Sequence, residues 1–247
     1  GHLVDRRANY KKDNLEAPEI IYNPDLKEYY LFVSYDPLMT TYNVRVGRSD
    51  KAEGPFIDYF GKELKDTTNN FPILTAPYRF KSHPGWAGTA HCAVFTSDDG
   101  QYFMAHQGRL SPQNQMMDLH VRQVFFTKDG WPVVSPERYA GSNPREFSAA
   151  DLVGEWEIIR VQEPLYERKL EAGQILWGEG ELQDEEWNMS HLLYLEKDGK
   201  LGEDQGTWDF AKEDQSLQLT LNGEVVRNLI VFAGHDWENE TETVLFT

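Results

Sequence analysis

The sequence is poor in cysteine and in long apolar runs, and each shortage excludes a class of protein. Its one cysteine, Cys92, cannot form a disulfide within the chain, and the apolar residues that follow it predict a buried, unreactive thiol. No apolar run approaches the roughly 20 residues that a membrane-spanning helix needs. We therefore expect neither a disulfide framework nor a membrane partner.

Basic residues are also scarce. Lys and Arg together number 24 against 41 Asp and Glu, which gives a formal net charge of -17. Attraction to the phosphate groups of nucleic acids or anionic lipids requires an excess of Lys and Arg. We therefore expect no nucleic acid partner, and the charge favours a neutral one.

The chain lacks an initiating methionine and a recognisable signal peptide as well. It begins with Gly1 and His2, so we expect that the natural N-terminus is missing. The 247 residues that are present are enough for one large domain or two small ones.

Helical periodicity is nearly absent, and short alternating runs separated by turn residues predict an all-β protein. These runs fall into two groups, residues 15–55 and 90–132, each about the size of one four-stranded propeller blade. Residues 58–88 between the groups are predicted to form a long loop. The predicted strands lie at residues 20–22, 29–35, 43–49, 93–96, 102–106 and 120–126.

A second all-β unit follows a change of composition at residues 141–149, which we interpret as a linker. We place the boundary so that the domains are residues 1–145 and 146–247. The acidic turns of the second domain are interpreted as solvated loops, with a metal site as the alternative. Its strands have the spacing of a small antiparallel barrel and are predicted at residues 156–160, 174–177, 192–195, 206–210, 217–221 and 226–232.

Glu16 stands at the start of a strand pattern rich in Ile, Tyr, Phe and Val. Such a strand needs apolar cover in a sheet. A carboxyl group at its edge is suited to general acid chemistry, because partial burial favours the protonated form. The alternative is a solvated turn residue beside Pro18.

Five motifs, taken in order, resemble glycoside hydrolase family 43, and within it the secreted bacterial endo-1,5-α-L-arabinanases. The motifs are EAPEIIYNP, YYLFVSYD, YNVRVGRS with GPF, GTAHCAVFTSDDGQYFMAHQGR and DGWPVVSPERY. The resemblance covers residues 5–140, and a weaker one continues to the C-terminus.

This resemblance implies a partial five-bladed β-propeller of about two blades, followed by a small lipocalin-like antiparallel β-barrel. Family members invert the anomeric centre with three carboxylates, namely an Asp base, an Asp that tunes the acid and a Glu acid. Glu16 matches the acid in the EAP motif. Nothing before it matches either Asp, so we expect both on an N-terminal propeller part, separate or missing, without which the chain is inactive.

The resemblance also implies a calcium ion on the propeller axis, coordinated largely by water, with His91 as its protein ligand. The alternative for His91 is a structural histidine whose ring bonds to backbone groups. Tyr35, Asp36 and Trp86 are the candidate sugar contacts, since aromatic faces at a cleft stack on sugar rings. The alternative for each of the three is a place in the core.

Two functional interpretations of different class follow. The preferred one is the C-terminal part of a secreted, inverting endo-arabinanase that acts on the polysaccharide arabinan. The other is a carbohydrate-binding or assembly module without catalysis, because the two Asp residues are not found. Within the enzymes, an arabinofuranosidase or xylosidase of the same family is a further alternative.

Overall fold

A computed structural model describes residues 1–5, 15–67, 72–113, 115–141, 144–161, 182, 184 and 187–247. The strand predicted at residues 174–177 lies outside this range. Strands dominate the described residues, in which a single α-helix, α1 (Ala149–Leu152), has four residues. The predicted all-β class is therefore confirmed. None of the helices described has the length and apolar character needed to cross a membrane.

The chain divides into two compact units. The first comprises residues 1–120 and 159–189, and the second comprises residues 121–158 and 190–247.

The first unit opens with a four-stranded antiparallel sheet. Its strands pair in chain order and are β1 (Leu15–Asn23), β2 (Glu28–Tyr35), β3 (Asn43–Ser49) and β4 (Ile73–Thr75). The turn between β1 and β2 is set by Asn23, whose side-chain oxygen accepts the backbone N–H groups of Asp25 and Leu26 at 3.0 and 3.1 Å. The two central strands, β2 and β3, are almost wholly buried, as apolar cover on both faces requires.

Five more strands complete the first unit, and a sixth begins there. They are β5 (Tyr78–Arg79), β6 (Trp86–Ala87), β7 (Ala93–Thr96), β8 (Tyr102–Leu110) and β12 (Asn188–Met189), while β9 (Asp118–Phe126) continues into the second unit. Strand β8 pairs with both β6 and β7. The segment predicted as a loop, residues 58–88, contains β4, β5 and β6. Strands of two or three residues are too short to produce a visible alternation, which is why the sequence pattern misses them.

The second unit contains the end of β9 paired with β10 (Pro132–Val134) and a seven-stranded sheet. The neighbours in that sheet are antiparallel, and its strands in order are β11 (Gly154–Ile158), β13 (His191–Leu195), β14 (Lys200–Leu201), β15 (Gly206–Ala211), β16 (Ser216–Leu221), β17 (Glu224–Asp236) and β18 (Thr241–Phe246).

This sheet curls around an apolar core. The outermost strands of the sheet, β11 and β18, come together through the rings of Trp156 and Phe246, whose centroids lie 5.0 Å apart. The core is formed by nine buried side chains, Phe147, Leu152, Leu193, Leu195, Leu201, Trp208, Leu217, Leu219 and Val231.

Candidate active site

Glu16 lies at an irregularity of strand β1. Glu16 pairs with Ser34 of β2, but the next pair is Glu19 with Phe32, so the register shifts between Glu16 and Glu19. Within the shift, Ala17 has a φ of 50°, a left-handed conformation that costs a non-glycine residue about 1–3 kcal/mol. Bulges of this kind redirect a side chain. The local fold thus sets the direction of the half-buried Glu16.

Tyr42 is the residue that Glu16 meets. Its side chain is fully buried, and burial raises the pKa of its hydroxyl above the ordinary range. The negative charge of Glu16 and a hydrogen bond to Glu16 raise this pKa further, while a hydrogen bond from Ser34 lowers it. The Tyr42 hydroxyl therefore interacts with both Glu16 and Ser34.

His91 joins the same group from a distant part of the sequence. Its Nδ1 lies 3.3 Å from the Tyr42 hydroxyl, and its backbone N–H donates to Ser34 Oγ at 2.9 Å. The residue is exposed and has a φ of 58°. Glu16 and His91 are thus linked through the hydroxyl groups of Tyr42 and Ser34.

The segment before His91 is held by its backbone. The N–H of Gly88 donates to the Thr40 carbonyl at 2.9 Å, and the N–H of Gln107 donates to the Ala90 carbonyl at 3.0 Å. Gly88 has a φ of 59°, and a Cβ there would lie 2.7 Å from the Leu38 carbonyl oxygen. Only glycine permits this close approach, which brings residues 88–91 against the loop that carries Tyr42.

Tyr35 and Asp36 are buried side by side in the same unit. Tyr35 belongs to an apolar cluster with Leu31, and its ring lies 4.7 Å from the Arg45 guanidinium carbon. Asp36 accepts a hydrogen bond from Asn43 at 2.5 Å and pairs with Arg45 at 3.4 Å. These contacts give both residues a clear packing role. Their predicted sugar contacts stay predictions, which this burial does not favour.

Trp86 is buried too, at 5% exposure. Its ring packs edge to face on His120 with centroids 4.4 Å apart, and its backbone lies in β6 between β5 and β8. A ring in this position supports the sheet. Stacking on a sugar stays a prediction for Trp86 as well.

Sequence reasoning missed Tyr42 and Ser34. A Tyr just before a strand and a Ser inside an apolar strand are both ordinary, and neither spacing marks a site. The one available signal was the pairing of β1 with β2, which would have placed Ser34 opposite Glu16.

A metal ion would find few protein ligands in this group. Among the described residues, no three or more His, Cys, Asp or Glu side chains are arranged to hold one. The exposed imidazole of His91 is one candidate donor, and calcium prefers six to eight oxygen ligands. Within the described part of the chain, His91 could serve as one ligand of such an ion, with water or ligand oxygens in the other positions. Cys92 next to it is buried, and burial raises the pKa of its thiol to about 12, as expected for an unreactive cysteine.

Comparisons with known proteins agree with this architecture. Residues 136–247 match the C-terminal lipocalin-like domain of glycoside hydrolase family 43. The chain is 31% identical over 166 residues to the extracellular endo-α-(1→5)-L-arabinanase 2 of Bacillus subtilis, a match that covers 59% of this chain and 35% of that protein. It is 29% identical over 164 residues to the extracellular endo-α-(1→5)-L-arabinanase of Thermotoga petrophila, again covering 59% and 35%.

A solved structure extends the likeness to nearly the whole chain. The family 43 glycoside hydrolase YxiA of Bacillus licheniformis superposes with a TM-score of 0.79 at 23% identity, covering 94% of this chain and 52% of that one. The present chain spans about a third of the length of the two curated relatives. The fold and the lipocalin-like domain expected from the sequence are confirmed, while the number of propeller blades stays a prediction. The chain is thus similar to proteins of glycoside hydrolase family 43, and its residues 136–247 match the C-terminal lipocalin-like domain of that family.

Proposed function

We propose that this chain carries the general acid of an inverting endo-1,5-α-L-arabinanase, with Glu16 as that acid. The observation that supports this most is the meeting of Glu16 with Tyr42 and His91 in one hydrogen-bonded group. The names of the two curated relatives, both endo-α-(1→5)-L-arabinanases, support the substrate class.

In this proposal Glu16 donates its proton to the departing glycosidic oxygen. A water molecule attacks the anomeric carbon from the opposite face, and a carboxylate base roughly 6.5–9.5 Å from the acid takes a proton from it. Glu16 is half-buried, so it is open to a substrate on one side and is held by the sheet on the other. The bulge of β1 and the bond to Tyr42 fix its direction before substrate arrives.

The base and the second Asp are proposed to lie outside these 247 residues, either on the same natural polypeptide or on a separate one. On this view the chain alone binds sugar weakly and hydrolyses nothing. The curated relatives are named extracellular enzymes, and we propose secretion for this protein as well.

We further propose that His91 is the protein ligand of a calcium ion, whose other ligands are waters and substrate hydroxyl groups. When bound, such an ion would orient the sugar and stabilise nearby negative charge. His91 reaches this position on a segment fixed by Gly88 and Ser34.

The test is the substitution Glu16→Gln in the complete natural polypeptide or in the reconstituted complex. Gln keeps the shape of the side chain but has no proton to transfer, so kcat on linear, debranched arabinan should fall about 10²–10⁴-fold. Glu19→Gln is the matched control, because Glu19 lies on the same strand beyond the bulge, and it should keep nearly full activity.

Other results would favour other functions. An unchanged kcat in Glu16→Gln would contradict the assignment of the acid. Arabinan binding without turnover in the complete complex would favour the carbohydrate-binding module. Release of arabinose before any oligomers would favour an arabinofuranosidase, and turnover of xylosides alone would favour a xylosidase.

A further inference from the structure

We infer that Trp187 is a positioning residue for the candidate active site. Its ring packs against strand β6 at the point where the chain enters residues 88–91, the segment that carries His91. The inference rests on the function proposed above for Glu16 and His91, but its first test needs no activity.

Trp187 belongs to the first unit, although it lies in the sequence between β11 and β13, which are neighbouring strands of the second. The two residues that follow it, Asn188 and Met189, form β12 and pair in parallel with β5. The backbone N–H and the side-chain amide of Asn188 both donate to the Pro77 carbonyl, at 3.1 and 2.8 Å. The backbone next to Trp187 is therefore fixed to the sheet of the first unit.

The buried ring of Trp187 lies against strand β6 and the residue before it. It shares an apolar cluster with Ala87 of β6 and with Leu182. A Cβ at Gly85 would lie 2.6 Å from the ring carbon Cζ3, so the ring can take this place only beside a glycine. The Arg79 guanidinium carbon lies 4.3 Å from the centroid of the ring, a cation–π contact that favours the same position.

Strand β6 depends on such packing because it is short. It has two residues, with one register pair to β5 and two to β8. A strand with so few backbone pairs takes much of its local stability from buried apolar contacts. Trp187 supplies these contacts at Ala87 and at Gly85.

Residues 88–91 follow β6 directly in the chain. The N–H of His91 donates to Ser34 Oγ at 2.9 Å, and Ser34 is the residue opposite Glu16 in the pairing of β1 with β2. Close-packed segments transmit a displacement to their neighbours, since protein interiors have low compressibility. A shift of β6 after loss of the Trp187 ring would therefore move His91 relative to Glu16.

Hydrogen exchange of the present chain is the first test. The backbone amides of Gly85, Gly88 and His91 are the probes, since each donates a hydrogen bond in the folded chain. In Trp187→Ala their protection should fall more than about tenfold, because deleting a buried ring of this size destabilises its surroundings by more than that factor. The amides of β2, whose apolar side chains belong to a different cluster, should change less.

A second variant keeps the test decisive if Trp187→Ala does not fold. Gly85→Ala places a methyl group against the ring of Trp187, so the same three amides should lose protection. Gly100→Ala is the matched control, because Gly100 also lies in the first unit and has a similar φ, 84° against 99°, but its Cβ would meet nothing within 4 Å. It should leave the three amides unchanged. Unchanged protection in Trp187→Ala and Gly85→Ala, or an equal loss throughout β2, would overturn the inference.

The consequence for the site is measured in the complete natural polypeptide, with kcat on linear, debranched arabinan expressed per folded molecule. Trp187→Ala should lower kcat about 10–100-fold, because a small misplacement of the groups at a site has an effect of this size. Trp187→Phe keeps a ring against β6 and should restore most of the rate. A parental kcat in Trp187→Ala would contradict the positioning role. An unchanged kcat in Glu16→Gln would instead contradict the proposed function, and the exchange measurements would stand independently of it.

Discussion

At the scale of single residues, Glu137 in the second unit has a carboxyl group whose pKa is strongly raised. It is 6% exposed, and burial raises its pKa to about 8. The charges of Glu238 and Asp236 raise it as well, while those of Arg122 and Arg138 lower it. The Arg122 guanidinium is also engaged by the carbonyl groups of Ser135 and Pro136 at 3.1 and 2.7 Å. Glu137 is therefore held in its neutral form at the pH where most carboxyl groups are ionised.

This residue should make stability fall as pH rises. Because its pKa is higher in the folded than in the unfolded state, the folded protein binds the extra proton, and its contribution is complete only below the ordinary pKa of Glu. We expect a loss of about 2–4 kcal/mol between pH 5 and pH 8. In Glu137→Gln this part of the loss should disappear, as measured by urea unfolding at both pH values.

The control for this measurement is Glu146→Gln, which removes an exposed carboxyl and should retain the pH dependence of the parent chain. Equal slopes in the parent chain and Glu137→Gln would contradict the raised pKa.

At the scale of elements, the sequence predicts long strands and misses short ones. The predicted ends of strand β3 agree with the observed ones, and those of β2 agree to within one residue. Both strands are long enough for their apolar pattern to be recognised in the sequence. Strands β5 and β6 have two residues each, and their pairing depends on partners far along the chain. The shift of register in β1 was also not predicted, since Ala17 is not a residue that usually adopts a positive φ.

Gly206 in β15 offers a test of how closely the second sheet is built. Its φ is 146°, and a Cβ at this position would overlap the carbonyl oxygen of Thr220 in the neighbouring strand. The added Cβ would clash with backbone and not with a flexible side chain, so the paired strands cannot easily move apart to relieve it. Gly206→Ala should therefore destabilise the second unit by about 3 kcal/mol or more. Hydrogen exchange measures this effect as a loss of protection of the backbone amides in β15 and β16.

The matched change is Gly223→Ala in the turn that follows β16. Gly223 also has a positive φ, 85°, but its Cβ would meet nothing within 4 Å. Gly223→Ala should therefore lower the free energy of unfolding by only about 1 kcal/mol, through the cost of a positive φ. Similar losses of stability in Gly206→Ala and Gly223→Ala would contradict this prediction, because they would mean that the strands shift enough to accommodate the new Cβ.

At the scale of the whole molecule, the fold class and the likeness to glycoside hydrolase family 43 were accessible from the sequence, but the environment of the site was only partly accessible. Glu16 and His91 were chosen from their motifs, and their roles as acid and metal ligand stay predictions. Tyr42, which links them, was missed because its part depends on the packing of residues 88–91 against its loop. Tyr35, Asp36 and Trp86 were chosen as aromatic or acidic residues near the motifs, and their burial depends on neighbouring strands that a motif does not reveal.

Calcium binding can be tested through its effect on the thermal stability of the whole chain. A ligand that binds only the folded state raises stability with its concentration, so excess calcium should raise the Tm by about 2–4 °C for each kcal/mol that it adds to the free energy of unfolding. His91→Gln should abolish this rise. The comparison is needed because a chain of net charge -17 attracts divalent cations in general. An equal rise in His91→Gln would show that the calcium binds elsewhere.

The packed interior of the curled sheet also bears on what the second unit is for. Barrels of the lipocalin type commonly enclose a small ligand. Here Trp208 and Leu219 belong to a cluster of nine buried side chains in the core of the sheet. The indole N–H of Trp208 also donates to the Glu196 carbonyl at 2.9 Å. An apolar ligand would have to displace these side chains from the core, at a cost of several kcal/mol in the free energy of folding. Among the described residues, the protein's own side chains thus occupy the place where a ligand-binding barrel would hold its ligand.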